Sequence, residues 1–126
     1  MKLGVKQRLF HRMFFHSFMP RAWEWAKANG IEIVVSETWR DPVTAAANQR
    51  KGVGIANSLH CEKLAVDLQL FRDGDYIEDT KEYAPLGLLW ESFSTTVGGE
   101  VIECCWGGRF NRRDGGHFSL AHDGRK

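Results

Sequence analysis

His60, Asp67, Asp114 and His117 are the residues of this chain whose types and spacing suit chemistry. Asp67 falls on the polar face of an otherwise apolar stretch from Leu64 to Leu70, where a core role for a carboxylate is not expected. His60 precedes it by seven residues, at the end of a Gly/Asn/Ser-containing loop, and His117 lies on the non-core face of another short strand. Two imidazoles and one carboxylate are the ligand set of a catalytic zinc that keeps its fourth position for water. Asp114 comes three residues before His117 in Asp114-Gly115-Gly116-His117, and a carboxylate so placed can stand over that water as a general base. Spacing alone leaves a blander reading open, with surface histidines and ordinary turn aspartates, because a His-x6-Asp pattern is loose.

The elements that must position these groups are legible from periodicity. Residues 5 to 16 read as a helix, with Val5, Leu9 and Met13 in one row, Phe10 and Phe14 in the next, and Lys6, Arg8 and Arg12 on the other side. Pro20 suits the first turn of a second helix that runs to about Asn29 and is closed by Gly30. Ile31 to Ser36 alternates as a strand, with Ile31, Ile33 and Val35 on one face. Asp41-Pro42 opens a short helix to about Arg50, with Asp41 as candidate N-cap, and residues 51 to 59 read as loop. In the next strand Leu64, Val66, Leu68 and Leu70 point one way and Ala65, Asp67, Gln69 and Phe71 the other. Asp73-Gly74-Asp75 marks a hairpin turn into Tyr76-Ile77, and residues 80 to 94 carry helix character. Gly98-Gly99 and Gly107-Gly108 punctuate the tail before a last strand, His117 to Leu120. The expected fold class is α+β, a small antiparallel sheet flanked by helices, in one domain spanning 1–126.

Ser58-Leu59-His60, Leu64-Ala65-Val66-Asp67, Trp106-Gly107-Gly108 and Asp114-Gly115-Gly116-His117-Phe118 resemble, in family order, the M15 family of zinc peptidases. That family includes D-alanyl-D-alanine carboxypeptidases, D,D-dipeptidases and bacteriophage L-alanyl-D-glutamate endopeptidases, and the chain looks most like the short phage lysis enzymes. Ser36-Glu37-Thr38-Trp39-Arg40-Asp41-Pro42 is similar to the family's strand-end arginine segment, and Asn57-Ser58-Leu59-His60 extends the likeness. The resemblance implies an M15-like fold, with Zn2+ held by His60, Asp67 and His117 and with Asp114 as acid/base. It implies Arg40 at the scissile carbonyl or a substrate carboxylate, and Ser58 as a hydrogen-bonding partner of substrate. Lys63 departs from it, since many members have Gly at that place, although a basic residue occurs in the phage-like branch. The implied activity is hydrolysis of peptidoglycan stem peptides by an L-alanyl-D-glutamate endopeptidase serving as a phage or prophage endolysin. A D-alanyl-D-alanine carboxypeptidase is the alternative within the enzyme class, and a non-catalytic peptidoglycan-binding or virion module the alternative outside it.

Composition bounds these readings. The chain has 126 residues with 17 Lys+Arg against 16 Asp+Glu and 43% hydrophobic residues, too apolar for disorder and too evenly charged for a polyanion binder. Nucleic acid is therefore not an expected partner, and no apolar run approaches a membrane span. Arg8, His11, Arg12 and His16 interrupt any signal-peptide core, so synthesis in the host cytoplasm is expected, with a holin-like partner or other route giving access to the wall in the periplasm. A monomer is expected. The basic helix at 5–16 either touches an anionic envelope or is a solvated helix face. Trp39 and Trp106 either line the cleft or pack in the core, and Cys61, Cys104 and Cys105 read as reduced thiols without a zinc-finger spacing.

Overall fold

The computed structural model describes residues 2–41, 43, 44, 47, 50 and 58–126. Its N-terminal part is helical without interruption from Val5 to Ala28: α1 (Val5–His11), a π-helical segment (Arg12–Phe18) and α2 (Met19–Ala28). The break expected before Pro20 does not occur. Proline lacks a donor and its ring crowds the carbonyl four residues back, and the wider π turn, closed by Met19 N–H donating to Phe14 O, precedes it and relieves both problems. Phe10, Phe14 and Phe18 consequently share one face and are fully buried, whereas Val5, expected in the apolar stripe, is 73% exposed. Asn29 caps α2 and Gly30, at φ +66°, takes the left-handed turn that ends it.

A long central strand, β2 (Ala65–Arg72), organises the sheet. One of its edges pairs antiparallel with β1 (Ile31–Glu37). The other edge is shared: β7 (His117–Leu120) pairs with Ala65, Val66 and Asp67, and β3 (Asp75–Ile77) pairs with Leu70, Phe71 and Arg72. Between them Leu68 N–H donates to Gly116 O at 2.8 Å, so the edge stays hydrogen-bonded where neither strand covers it. Asp73 and Gly74, both at positive φ, make the two-residue β2–β3 turn anticipated from their types. Beyond β7 lies β6 (Cys104–Trp106), and β4 (Thr95–Val97) with β5 (Glu100–Ile102) forms a separate hairpin. None of these three strands stands out in the periodicity, because each has only three residues. The helix expected over 80–94 is a 3-10 turn (Thr80–Tyr83) followed by α3 (Ala84–Glu91).

Along Leu64–Phe71 the alternation mostly holds: Leu64, Val66, Leu68 and Leu70 are buried, and Asp67, Gln69 and Phe71 are half-buried on the other side, where Ala65 is buried too. On β1 the alternation stops early. Ile31 and Ile33 are buried but Val35, still opposite Leu68, is 42% exposed, and a bulge follows it where the register slips by one before Glu37. Packed on the buried face is an aromatic layer centred on Trp90, whose ring meets Phe10, Phe14 and Phe18 edge-on at 5.4–5.8 Å between centroids. Its indole N–H donates to Ser119 O at 3.1 Å, tying α3 to β7. Cys104 and Cys105 are buried in β6, where desolvation pushes their thiols up to about 12 and about 11, so they remain protonated and unreactive. The helix expected from Asp41 to about Arg50 and the loop expected over 51–59 rest largely on positions outside the described residues, and Leu59 already belongs to a 3-10 turn. Asp41 itself accepts from Val43 N–H and Thr44 Oγ1 at 3.3 Å, as a capping carboxylate does.

Phe14 touches Phe10, Phe18, Trp90 and Phe118, so Phe14→Ala opens a cavity at the junction of helix and sheet. A loss of about 3–5 kcal/mol is expected, to be read as a lowered urea midpoint with an unchanged slope.

Candidate metal centre

Asp67 and His117 are directly opposite one another across the β2–β7 pair, and directly opposite residues point to the same face. His60 arrives from a different element, the 3-10 turn Leu59–Glu62 that leads into β2. His60 Nε2 lies 3.2 Å and His117 Nδ1 3.3 Å from Asp67 Oδ1. One ligand atom from each of the three residues falls within 4.8 Å of the other two. Asp67 Oδ1 nonetheless makes no hydrogen bond among the described residues, so the three groups converge on a common point without satisfying one another. The remaining ring atoms, His60 Nδ1 and His117 Nε2, are also buried and without a partner among the described residues. The imidazoles are held by packing instead: His60 stands edge-on to His117 at 5.4 Å, and Phe110 covers His117 at 5.3 Å. Buried orphan polar atoms cost about 1–3 kcal/mol each. Two imidazoles and a carboxylate so placed fit a divalent cation of the zinc type, which would take one ligand atom from each residue.

The electrostatics of the cluster agree with this fit. Burial alone would push the Asp67 carboxyl up, but the two adjacent imidazoles hold it down at about 2. Burial lowers the proton affinity of His60, yet the Asp67 carboxylate outweighs it and the His60 pKa is raised. Asp67 is therefore anionic at any physiological pH, and in the metal-free protein His60 keeps a proton to higher pH than a free imidazole.

Local sequence explains why each side chain is where it is. The Ser58 hydroxyl accepts from His60 N–H at 3.1 Å, capping the turn, and Lys63 ends it in the left-handed conformation at φ +58°. That backbone angle is the physical reason a glycine suits position 63. Here the lysine ammonium lies 4.7 Å over the Trp39 ring. The turn is also braced from α1: Gln7 donates to Glu62 O at 2.7 Å, and His11 Nε2 lies 3.1 Å from Lys63 O. Neither contact was foreseen, since no local pattern links residues 52 to 55 positions apart.

Asp114 and His117 are shaped by glycines. Gly107 O accepts from Asp114 N–H at 2.9 Å, and a Cβ on Gly107 would lie 2.1 Å from Asp114 O. A Cβ on Gly116 would lie 2.2 Å from Leu68 O, so the Asp114–His117 turn packs against β2 only without side chains there. Trp106 belongs to the core: it is buried against Gly87 and Gly108, and its indole N–H donates to Gly115 O at 2.8 Å. Trp39, the other ambiguous tryptophan, is 49% exposed. The Asp114 residue is exposed as a whole, but burial of its carboxyl group and the nearby Asp67 charge raise its pKa, the change a proton acceptor needs. Asp114 and Asp67 line one cavity of about 280 Å³.

Arg40 is held more firmly than sequence reasoning anticipated. Its backbone N–H donates to His60 O at 3.2 Å, and its Nε and Nη2 form a fork onto Glu37 at 2.7 and 2.9 Å. Glu37 was not singled out for a role. The bulge in β1 places Glu37, in place of Ser36, opposite Asp67, so Glu37, Asp67 and His117 form one row across three strands. The i,i+3 spacing of Glu37 and Arg40 is the only local signal of this pair.

Because His60 must lose its proton to bind a cation, zinc affinity is expected to fall as pH drops below the raised His60 pKa and to level off above it. Titration with a competing chelator at stepped pH checks this. His117→Ala is expected to lose most bound zinc under the same conditions, and full occupancy in that variant would remove His117 from the ligand set.

No protein-family model and no curated protein matches the chain. Among solved structures the chain is similar to the Serratia marcescens L-Ala D-Glu endopeptidase ChiX, with a TM-score of 0.58 and 26% sequence identity. The match covers 72% of this chain and 68% of that one. The α+β architecture with a small antiparallel sheet is thus shared with a peptidase.

Proposed function

We propose that this protein is a zinc-dependent hydrolase of peptidoglycan stem peptides, cutting the L-Ala–D-Glu bond. The observation that carries this reading is the His60–Asp67–His117 cluster beside Asp114, on a fold similar to that of an L-Ala D-Glu endopeptidase. Zinc held by His60, Asp67 and His117 supplies Lewis acidity, polarising an amide carbonyl and lowering the pKa of water. Asp114 takes a proton from the attacking water and returns it to the departing amine, and its raised pKa suits both steps. Arg40, gripped by Glu37 through Nε and Nη2, offers Nη1, which has no partner among the described residues, to a substrate carboxylate or the developing oxyanion. Ser58 contacts the substrate beside His60. The setting we attach to this activity is that of a phage or prophage endolysin. In it a monomeric 1–126 domain is made in the host cytoplasm and brought to the wall with a holin-like partner. No helix among the described residues is long and apolar enough to cross a membrane.

Mass spectrometry of digested peptidoglycan tests the proposal, because the new termini name the bond. Fragments beginning with D-Glu support it, release of D-Ala replaces it with a carboxypeptidase, and intact peptidoglycan with zinc bound leaves a non-catalytic module.

Asp114→Asn is expected to keep zinc and fold while hydrolysis falls by roughly 10²–10⁴, with loss or displacement of the acidic limb of the kcat/KM profile. Near-normal hydrolysis would make Asp114 a turn residue, and lost zinc would make it a ligand.

Arg40→Lys retains charge but not the planar fork, and Glu37→Gln removes the charge that holds it. Both are expected to lower kcat/KM with zinc content unchanged. Wild-type rates in both would assign the Glu37–Arg40 pair to structure alone.

A further inference from the structure

Asp114 and His117 are the two ends of a tight turn, closed by His117 N–H donating to Asp114 O at 3.1 Å, with Gly115 and Gly116 as its central residues. Such a turn has two forms that differ by a flip of the central peptide group, and the flipped form needs positive φ at the third residue. Glycine takes that angle without penalty, so Asp-Gly-Gly-His by itself favours neither form. Neither Gly115 nor Gly116 has positive φ in this structure. A side chain fixes the form that is found: the Trp106 indole N–H donates to Gly115 O at 2.8 Å. Gly116 N–H, on the opposite side of the same peptide group, faces the Asp114 carboxyl. A flip would release the indole and turn Gly115 O toward that carboxyl in place of the N–H.

The indole has little freedom of its own. A Cβ on Gly87 would lie 2.1 Å from Trp106 Cδ2 and one on Gly108 2.2 Å from Cζ2, so α3 and the turn after β6 clasp the ring. Arg109 lies 5.7 Å over it and is tied back to Glu91 of α3 by Nε and Nη2, each at 3.0 Å. Trp106 is opposite Phe118, whose side chain points to the face away from His117, so the ring approaches the turn from the core. The flanks of the turn are held separately, by Asp114 N–H on Gly107 O at 2.9 Å and Leu68 N–H on Gly116 O at 2.8 Å. Loss of the indole N–H therefore acts on the central peptide and leaves the flanks in place.

We propose that Trp106 is a positioning residue for Asp114: its N–H locks the central peptide of the Asp114–His117 turn, and the locked peptide aims Gly116 N–H at the Asp114 carboxyl. This rests on the peptidase reading, in which Asp114 is the acid/base. Trp106 touches neither substrate nor metal, and it acts by fixing where the carboxylate stands.

The test removes the donor and keeps the ring, in the zinc-loaded full chain. Trp106→Phe loses the N–H and some ring volume, whereas benzothienylalanine at position 106, with sulfur in place of the N–H, loses the donor alone and guards against a packing defect. Both are expected to lower kcat about tenfold, the effect of a displaced proton acceptor, with KM and zinc affinity unchanged. Amide hydrogen exchange followed by NMR should be about tenfold faster at Gly116 and His117 and unaltered at Ile33 and Leu70. In an Asp114→Asn background the same replacements should change the residual hydrolysis by less than about twofold, because the group being positioned has gone. Unchanged kcat and exchange with benzothienylalanine overturn the proposal. An equal loss of kcat with and without Asp114 also overturns it, since Trp106 would then support the fold in general, and weakened zinc binding would direct its action to His117 instead. If the wild type hydrolyses nothing, the peptidase reading falls, and exchange decides the lock: acceleration confined to the turn upholds it and unchanged exchange overturns it.

Discussion

The structure depends on the register of β2 against β7, which sets Asp67 opposite His117. A slip of one residue would send the imidazole and the carboxylate to opposite faces. In register, they are buried together with His60 in a cluster whose polar atoms do not satisfy one another. Such a group is costly to the folded chain by itself and becomes favourable on binding a cation. The surrounding scaffold has to supply enough stability to hold it in advance.

That stability comes from the opposite side of the same strands. Val66 and Phe118, the residues paired next to Asp67 and His117, are fully buried in the hydrophobic core. Trp90 meets the three phenylalanines of the N-terminal helices and anchors to the β7 backbone. The same helical stretch reaches around to brace the His60 turn through Gln7 and His11. The basic helix thus has a structural task in the core whatever its exposed Arg8 and Arg12 touch. Packing and chemistry are coupled here because on β2 and β7 a core residue and a site residue are immediate neighbours in the chain.

Two local irregularities give the site its breadth. The β1 bulge brings Glu37 into line with Asp67, from where it clamps Arg40. The uncovered stretch of β2 between β7 and β3 lets the glycine turn carrying Asp114 dock on Leu68, and the same interval forms part of the polar cavity. A regular, fully paired sheet would have neither the row of Glu37, Asp67 and His117 nor the cavity beside it.

The amino-acid sequence by itself determined the parts that local physics controls. Alternation over Leu64–Leu70 placed Asp67 on the polar face, Asp73-Gly74 specified a turn, and Gly30 ended a helix, all as found. The candidate ligands were legible because their residue types and their offsets within each strand are local properties. Only the tertiary structure decided what depends on distant partners. The Pro20 helix continues because a π turn precedes it, and Glu37 instead of Ser36 meets Asp67 because β1 slips against β2. Trp106 is a core residue because Gly87 and Gly108 make room for its ring. Glu37 and Gln7 gain their places from strands and turns far away in the chain, and no period of two or of 3.6 residues records such a meeting. Periodicity reports which face a side chain takes, whereas the company it keeps there is set by register, bulges and loop closure.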